Sequence, residues 1–282
     1  MNLKRVFKNQ IHFSLVVPAF LWQILFFYVP LIFVLVASFF NIDELGNYTG
    51  ITLNHYKFFF NLIYFKIIFK SLSLALLNSI LCFVIGYPVA YYIAFKSHKA
   101  KNLLIMLLML PFWTNFLLHI YAWFFVLERG GFVNNILMYL GIIHQPLELL
   151  NSFFAIILGM VYSYLPFMIL PIYSVLEQLN KKLVEASLDL GATIWQTFRR
   201  VILPLSASGV ISGMFLVFVP SFGEFAIPEL MGGEKYVFAG NVISKFILGG
   251  KTLALGAAFT IISSLCLIIT IFMLYKFRKK YQ

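Results

Sequence analysis

Four side chains have the types needed to handle a positively charged solute: Glu224, Glu229, Trp113 and Tyr164. The two carboxylates lie in Pro220-Ser221-Phe222-Gly223-Glu224-Phe225-Ala226-Ile227-Pro228-Glu229-Leu230-Met231-Gly232-Gly233, a stretch broken by Pro and Gly. Acids near a membrane are costly and usually have a reason, and broken backbone at that depth is tolerated mainly where it lines a cavity. Aromatic residues gather in Pro111-Phe112-Trp113-Thr114-Asn115-Phe116, with His119, Tyr121 and Trp123 following and Tyr162, Tyr164 and Tyr173 further on. Aromatic faces combined with a few carboxylates would suit a path for a cation. Two plainer readings stay open: ordinary solvated acids in an outer loop, and an interfacial belt of aromatic rings.

Other chemistry is weakly represented. Gly249-Gly250-Lys251-Thr252 ends like a phosphate-binding loop, but Lys245 stands where the leading glycine belongs and no strand precedes it. His12, His55, His98, His119 and His144 are scattered with no pair at metal spacing, and only His119 falls inside an apolar run. Cys82 and Cys266 both lie in apolar runs, which indicates neither a disulfide framework nor a metal site. No catalytic constellation, metal or cofactor is expected.

The elements that must position these residues are membrane helices. The chain is 62% hydrophobic and only 11% charged, with 33 Phe, and its mean hydropathy is +0.93. That composition excludes an ordinary soluble domain, and the long unbroken apolar runs exclude a transmembrane barrel. Spans are expected at about 13–39, 72–95, 103–127, 153–176, 205–228 and 254–275, the first read as uncleaved and the fifth interrupted by Pro204, Pro220 and Pro228. The reading is an all-α polytopic membrane protein with six transmembrane helices in a single domain over residues 1–282. Residues 1–70 would supply the first span and an outer loop, and about 71–276 the core.

Counted loop by loop, fourteen Lys and Arg fall on one side and seven on the other. With the acids included, the whole net charge of +11 lies on the fourteen-residue side, which is therefore expected to be cytosolic and to carry both termini. The basic balance needs no nucleic acid, because a bilayer with anionic headgroups explains it. Small residues at four-residue steps (Gly86, Ala90, Ala94; Ala155, Gly159, Ser163; Gly209, Gly213) mark close helix approach, within one bundle or at a dimer interface.

One stretch on the basic side, about residues 178–204, is too polar to span. Gly191 is a natural helix stop, Thr193 with Gln196 forms a capping box, and Leu190, Ile194, Phe198 and Ile202 recur at a four-residue step. This amphipathic face would seek an apolar cleft, and Pro204 marks where the next helix starts or bends. The stretch resembles the EAA loop of membrane subunits of bacterial ABC importers: Glu-Ala-Ala, three residues, Gly, nine residues, Ile, one residue, Leu-Pro. Glu185, Ala186, Gly191, Leu203 and Pro204 match at that spacing, while Ser187 and Val201 depart conservatively. Five such matches arise by chance at about two in a million start positions on average composition. The resemblance implies a coupling element that docks on a separate ATPase, with Glu185 as a polar contact, Gly191 as the bend, and Ala186, Asp189, Leu203 and Pro204 in the same surface.

From about residue 70 onward the chain also resembles the spermidine/putrescine permease subunits of that importer family. The motifs are Pro111-Phe112-Trp113-Thr114-Asn115, Tyr164-Leu165-Pro166-Phe167-Met168, Leu188-Asp189-Leu190-Gly191-Ala192, and the glutamate-containing stretch after Pro220. The resemblance implies a type I ABC importer permease fold in a bacterial inner membrane. It also implies a polyamine substrate, a pair of ATP-binding subunits, a second permease subunit and an extracytoplasmic substrate-binding protein. Sulfate, ferric iron and phosphonate permeases share the coupling loop, so the same machinery with another substrate is the alternative, followed by an ATP-independent channel or carrier.

Overall fold

The structure is a computed structural model that describes residues 17–42, 48–95, 100–249 and 253–279. Lys4, Arg5, Lys8, His12, Lys96, His98, Lys99 and the Gly250-Lys251-Thr252 part of the phosphate-loop candidate lie outside the described residues.

The chain divides into two compact units, Met1–Phe65 with Val242–Gln282, and Lys66–Asn241. In the first, helix α1 (Val17–Ala37) is apolar apart from Gln23, and its most apolar window buries nothing against the chain itself. Lipid is the solvent such a helix needs. A short antiparallel hairpin follows, β1 (Phe40–Ile42) with β2 (Tyr48–Ile51), which the all-α expectation omits. Helix α2 (Asn54–Phe59) buries Phe59, whose ring lies 4.9 Å from that of Phe259 in the C-terminal helix α13 (Leu253–Lys279).

The second unit holds the hydrophobic core. Its helices are α3 (Leu62–Phe95, whose first turn belongs to the other unit), α4 (Lys101–Trp113), α5 (Phe116–Leu127), α6 (Phe132–Tyr139), α7 (Phe153–Gln178), α8 (Lys181–Asp189), α9 (Ile194–Leu205), α10 (Ala207–Gly223) and α11 (Ala226–Gly232). Helix α12 (Ala239–Leu248) begins here and continues into the first unit. Among the described residues, five helical stretches are long and apolar enough to cross a bilayer, with α5 and α6 counted together as Phe116–Tyr139, and a sixth span is made if α9 and α10, bent by 65°, count as one.

Two spans differ from the sequence expectation. The stretch 103–127 is not one helix: it breaks between α4 and α5, and the candidate span there is Phe116–Tyr139. Pro111 cannot donate the bond that would continue α4, Thr114 is extended, and the Asn115 side chain accepts from Leu117 N at 2.8 Å to start a new helix. The stretch 205–228 likewise stops at Gly223, because Glu224 is extended and α11 begins two residues later.

The small-residue steps pack inside the bundle. A Cβ on Gly209 would stand 2.7 Å from the Pro171 carbonyl oxygen, one on Gly213 2.8 Å from Met168 Sδ, and one on Gly159 2.6 Å from Met231 Sδ. Backbone cannot yield as a flexible side chain can, so Gly209→Val is expected to force α10 off α7. It should cost about 2–3 kcal/mol of stability, the upper end for overpacking. Thermal denaturation in detergent checks this, with Gly223→Ala, which would meet nothing within 4 Å, as the neutral control; equal melting temperatures for both would refute the close approach.

Polar side chains also pin the interior. Asn78 donates to Ser221 Oγ at 2.8 Å, and the Ala239 amide donates to Ser71 Oγ at 2.8 Å, tying α3 to both ends of the broken region. Asn134, fully buried, donates to the Glu128 and Leu147 carbonyls and accepts from the Leu147 amide, closing the loop that follows α6.

Candidate coupling and transport sites

Helix α8 starts with Asn180 accepting from the Lys182 amide at 3.1 Å, and it ends as Gly191 turns to φ 81°. The Gly191 amide bonds the Leu188 carbonyl at 2.9 Å and the Ala192 amide bonds the Ser187 carbonyl at 3.2 Å. These are the two closing bonds of a Schellman turn, which requires a left-handed residue at this position. Helix α9 opens with the expected capping box: Thr193 Oγ1 accepts from Gln196 N at 3.3 Å and Gln196 Oε1 from Thr193 N at 2.9 Å. A hydroxyl pair, Ser187 Oγ with Thr197 Oγ1 at 3.0 Å, clips the two helices together. Ser187, where the resembled signature has alanine, therefore has a structural task that spacing alone does not reveal.

The four-residue apolar face is not continuous. Ile202 is 2% exposed and Phe198 half-buried, whereas Leu190 is 89% and Ile194 79% exposed. The Schellman turn takes Leu190 out of the helical phase of α9, and a wide five-residue turn at Phe198–Ile202 shifts the phase again. The apolar surface is instead a tip made of Leu190, Ile194 and Trp195, with Trp195 stacked on Phe198 at 5.5 Å. Beside it runs an open groove of about 750 Å³ lined by Ala186, Gly191, Arg200 and Pro204 among others. Glu185 and Asp189 are exposed, while Leu203 packs against the core. An apolar tip beside two exposed carboxylates can dock into a cleft that offers both apolar contact and a cation or N–H donor.

The second site lies at the break between α10 and α11. Tyr164, buried in α7, donates to Glu224 Oε2 at 2.6 Å. Glu224 Oε1 accepts from the Ala226 and Ile227 amides at 2.9 and 3.3 Å, which caps α11. Asn241 holds the same break, donating to the Phe225 carbonyl at 3.1 Å and accepting from the Phe238 amide at 3.2 Å. A carboxylate offers about four lone-pair directions; with three occupied, Glu224 is fixed in orientation with room for one further donor.

The structure brings together Tyr164 and Glu224, sixty residues apart. It does not bring Trp113 or Glu229 to them: Trp113 is 73% exposed at the end of α4, and Glu229 is exposed on α11. What reaches Tyr164 from the aromatic stretch is Phe112, through Phe167, with ring separations of 5.0 and 6.3 Å. His119 Nε2 lies 2.9 Å from Thr114 Oγ1, and its ring is 5.7 Å from that of Tyr162, in a pocket of about 120 Å³ that Phe112 also lines. Among the described residues no group of three or more His, Cys, Asp or Glu could hold a metal ion.

Residues 83–282 match the family of binding-protein-dependent transport system inner membrane components. The chain is 38% identical over 276 residues to the spermidine/putrescine transport system permease protein PotB of Haemophilus influenzae, covering 98% of this chain and 96% of that protein. It is 40% identical over 241 residues to PotB of Escherichia coli, covering 85% and 88%. A crystal structure of a bacterial ABC transporter involved in import of the acidic polysaccharide alginate superimposes with a TM-score of 0.74 at 20% identity, over 98% of each chain.

Proposed function

Because the chain belongs to the family of binding-protein-dependent transport system inner membrane components, we propose that it is a membrane permease subunit of a bacterial ABC importer that carries polyamines. Likeness to spermidine/putrescine permeases over nearly the full length carries this reading. A polyamine bears two to four positive charges, and moving it through hydrocarbon unaided is prohibitive. A path that offers a held carboxylate and aromatic faces lowers that barrier. Glu224, oriented by Tyr164 and two backbone amides, suits an ammonium group waiting at the break. Trp113 and Glu229, both exposed, would act at other points of the route.

Energy would come from a pair of separate ATP-binding subunits, and the chain itself would have no ATPase site. The exposed surface of Glu185, Ala186, Asp189 and Gly191, backed by Leu203 and Pro204, is the region suited to receive their motion. A second permease subunit would complete the pathway, and an extracytoplasmic binding protein would deliver the substrate. The charge balance favours an inner-membrane orientation with both termini in the cytoplasm.

The test is uptake of labelled putrescine, spermidine and sulfate in source cells with this chain deleted and then restored. Polyamine uptake is expected to fall to the background level and to return on restoration, with sulfate uptake unaffected. Polyamine uptake that survives deletion in a strain lacking other polyamine transporters would remove the substrate assignment.

A further inference from the structure

The bend between α9 and α10 sits at Ser206, which leaves helical geometry at φ −89°, ψ 2°. The Ser206 amide donates to the Ile202 carbonyl at 2.9 Å and the Val210 amide to the Ser206 carbonyl at 3.1 Å, so backbone bonds reach the bend from both sides, and α9 must hand on any displacement that reaches the Glu185–Pro204 surface. Two side-chain contacts brace it. Ser206 Oγ lies 3.1 Å from the Leu203 carbonyl, to which it can donate. The Tyr87 hydroxyl shares a hydrogen bond with Ser206 Oγ at 2.8 Å. The Tyr87 ring also meets Phe198 edge to face, at 5.5 Å and 90°, inside the wide turn of α9. Tyr87 is 4% and Ser206 0% exposed, so water does not replace the bond once it is lost.

We propose that Tyr87 is a positioning residue for energy coupling: through Ser206 and Phe198 it ties the α9–α10 bend to α3, so that movement of the docking surface is delivered to the spans instead of being absorbed at the bend. Tyr87 is 4% exposed and does not line the groove beside the docking tip. Its hydroxyl sets how much of each ATPase stroke becomes transport. The inference rests on the coupling reading above.

The experiment uses the complete importer, purified and reconstituted in liposomes, with labelled spermidine and phosphate release measured together. Tyr87→Phe keeps the ring contact with Phe198 and removes only the hydroxyl; Ser206→Ala removes its partner hydroxyl. Each is expected to raise the ATP hydrolysed per spermidine imported about three- to ten-fold, as the loss of one buried hydrogen bond predicts. The double variant should be no worse than either single one, and Ser206→Thr, which keeps the hydroxyl, should retain the unmodified ratio. The ratio is counted per assembled complex, so a fall in folded protein does not mimic the effect. Less assembled complex with an unchanged ratio would make the bond a fold-holding contact only and overturn the proposal. Spermidine import by the unmodified complex that proceeds without ATP would overturn the coupling reading and this inference with it, whereas ATP-driven import with equal ratios in all variants overturns the brace alone.

Discussion

Gly191→Asp is expected to abolish ATP-driven polyamine uptake while the protein still inserts in normal amount. The backbone there holds φ 81°, and a Cβ would meet nothing within 4 Å, so the damage comes from conformation and charge and not from a clash. Left-handed geometry costs an L residue about 1–2 kcal/mol. A carboxylate added to a surface that already exposes Glu185 and Asp189 would be desolvated unpaired on docking, at about 1–3 kcal/mol more. Together these amount to a loss of about thirtyfold to several thousandfold. Gly191→Asn isolates the first effect, since asparagine matches aspartate in shape and in its access to the left-handed region but adds no charge, and should keep uptake within about tenfold of normal. Membrane abundance by immunoblot alongside initial uptake rates decides the matter: normal uptake by a well-expressed Gly191→Asp protein would show that the Schellman turn does not serve coupling.

The second large effect is expected at Glu224. Glutamine has nearly the same shape and its carbonyl oxygen can still accept from the Ala226 and Ile227 amides, so the cap on α11 survives. What disappears is the charge, and a hydrogen bond to a charged group contributes about 1.5–3 kcal/mol. Glu224→Gln should therefore lower the kcat/KM for polyamine uptake about ten- to hundredfold. Tyr164→Phe, which frees the carboxylate without neutralising it, should give a smaller loss. Glu229→Gln should cost less, about two- to fivefold, because Glu229 is exposed and an exposed charge pair contributes up to about 1 kcal/mol. Unchanged rate and apparent affinity in the Glu224→Gln, Glu229→Gln double variant would reduce both acids to structural or loop charges.

The sequence carries most of the local signals behind these predictions. The capping box at Thr193 and Gln196, the left-handed Gly191 and the broken stretch around Glu224 were all readable, because each is set by residues within a turn of one another. The break after Pro111 was readable in principle, since Pro111 and Asn115 are a helix stop and a helix start. High hydropathy on both sides masked it, and a window average cannot see a local hydrogen-bonding fault. The face from Leu190 to Ile202 went wrong for a related reason: a four-residue step presumes one continuous helix, and a Schellman turn and a wide turn each reset the phase.

The sequence by itself determined that this is a helical membrane protein, roughly where four of its spans lie, and that one polar stretch has the spacing of a coupling loop. Those properties depend on composition and on neighbours a few positions apart, where the physics of burial and backbone hydrogen bonding acts locally. Only the tertiary structure decided that Tyr164, and not Trp113, meets Glu224, that Gly209 and Gly213 seat α10 on α7, and that Tyr87 braces Ser206 across 119 positions. Each of these joins helices distant in the chain. Their partners are set by which small residues let backbones approach and which buried hydroxyl must find an acceptor, and no periodicity within a single segment encodes that choice.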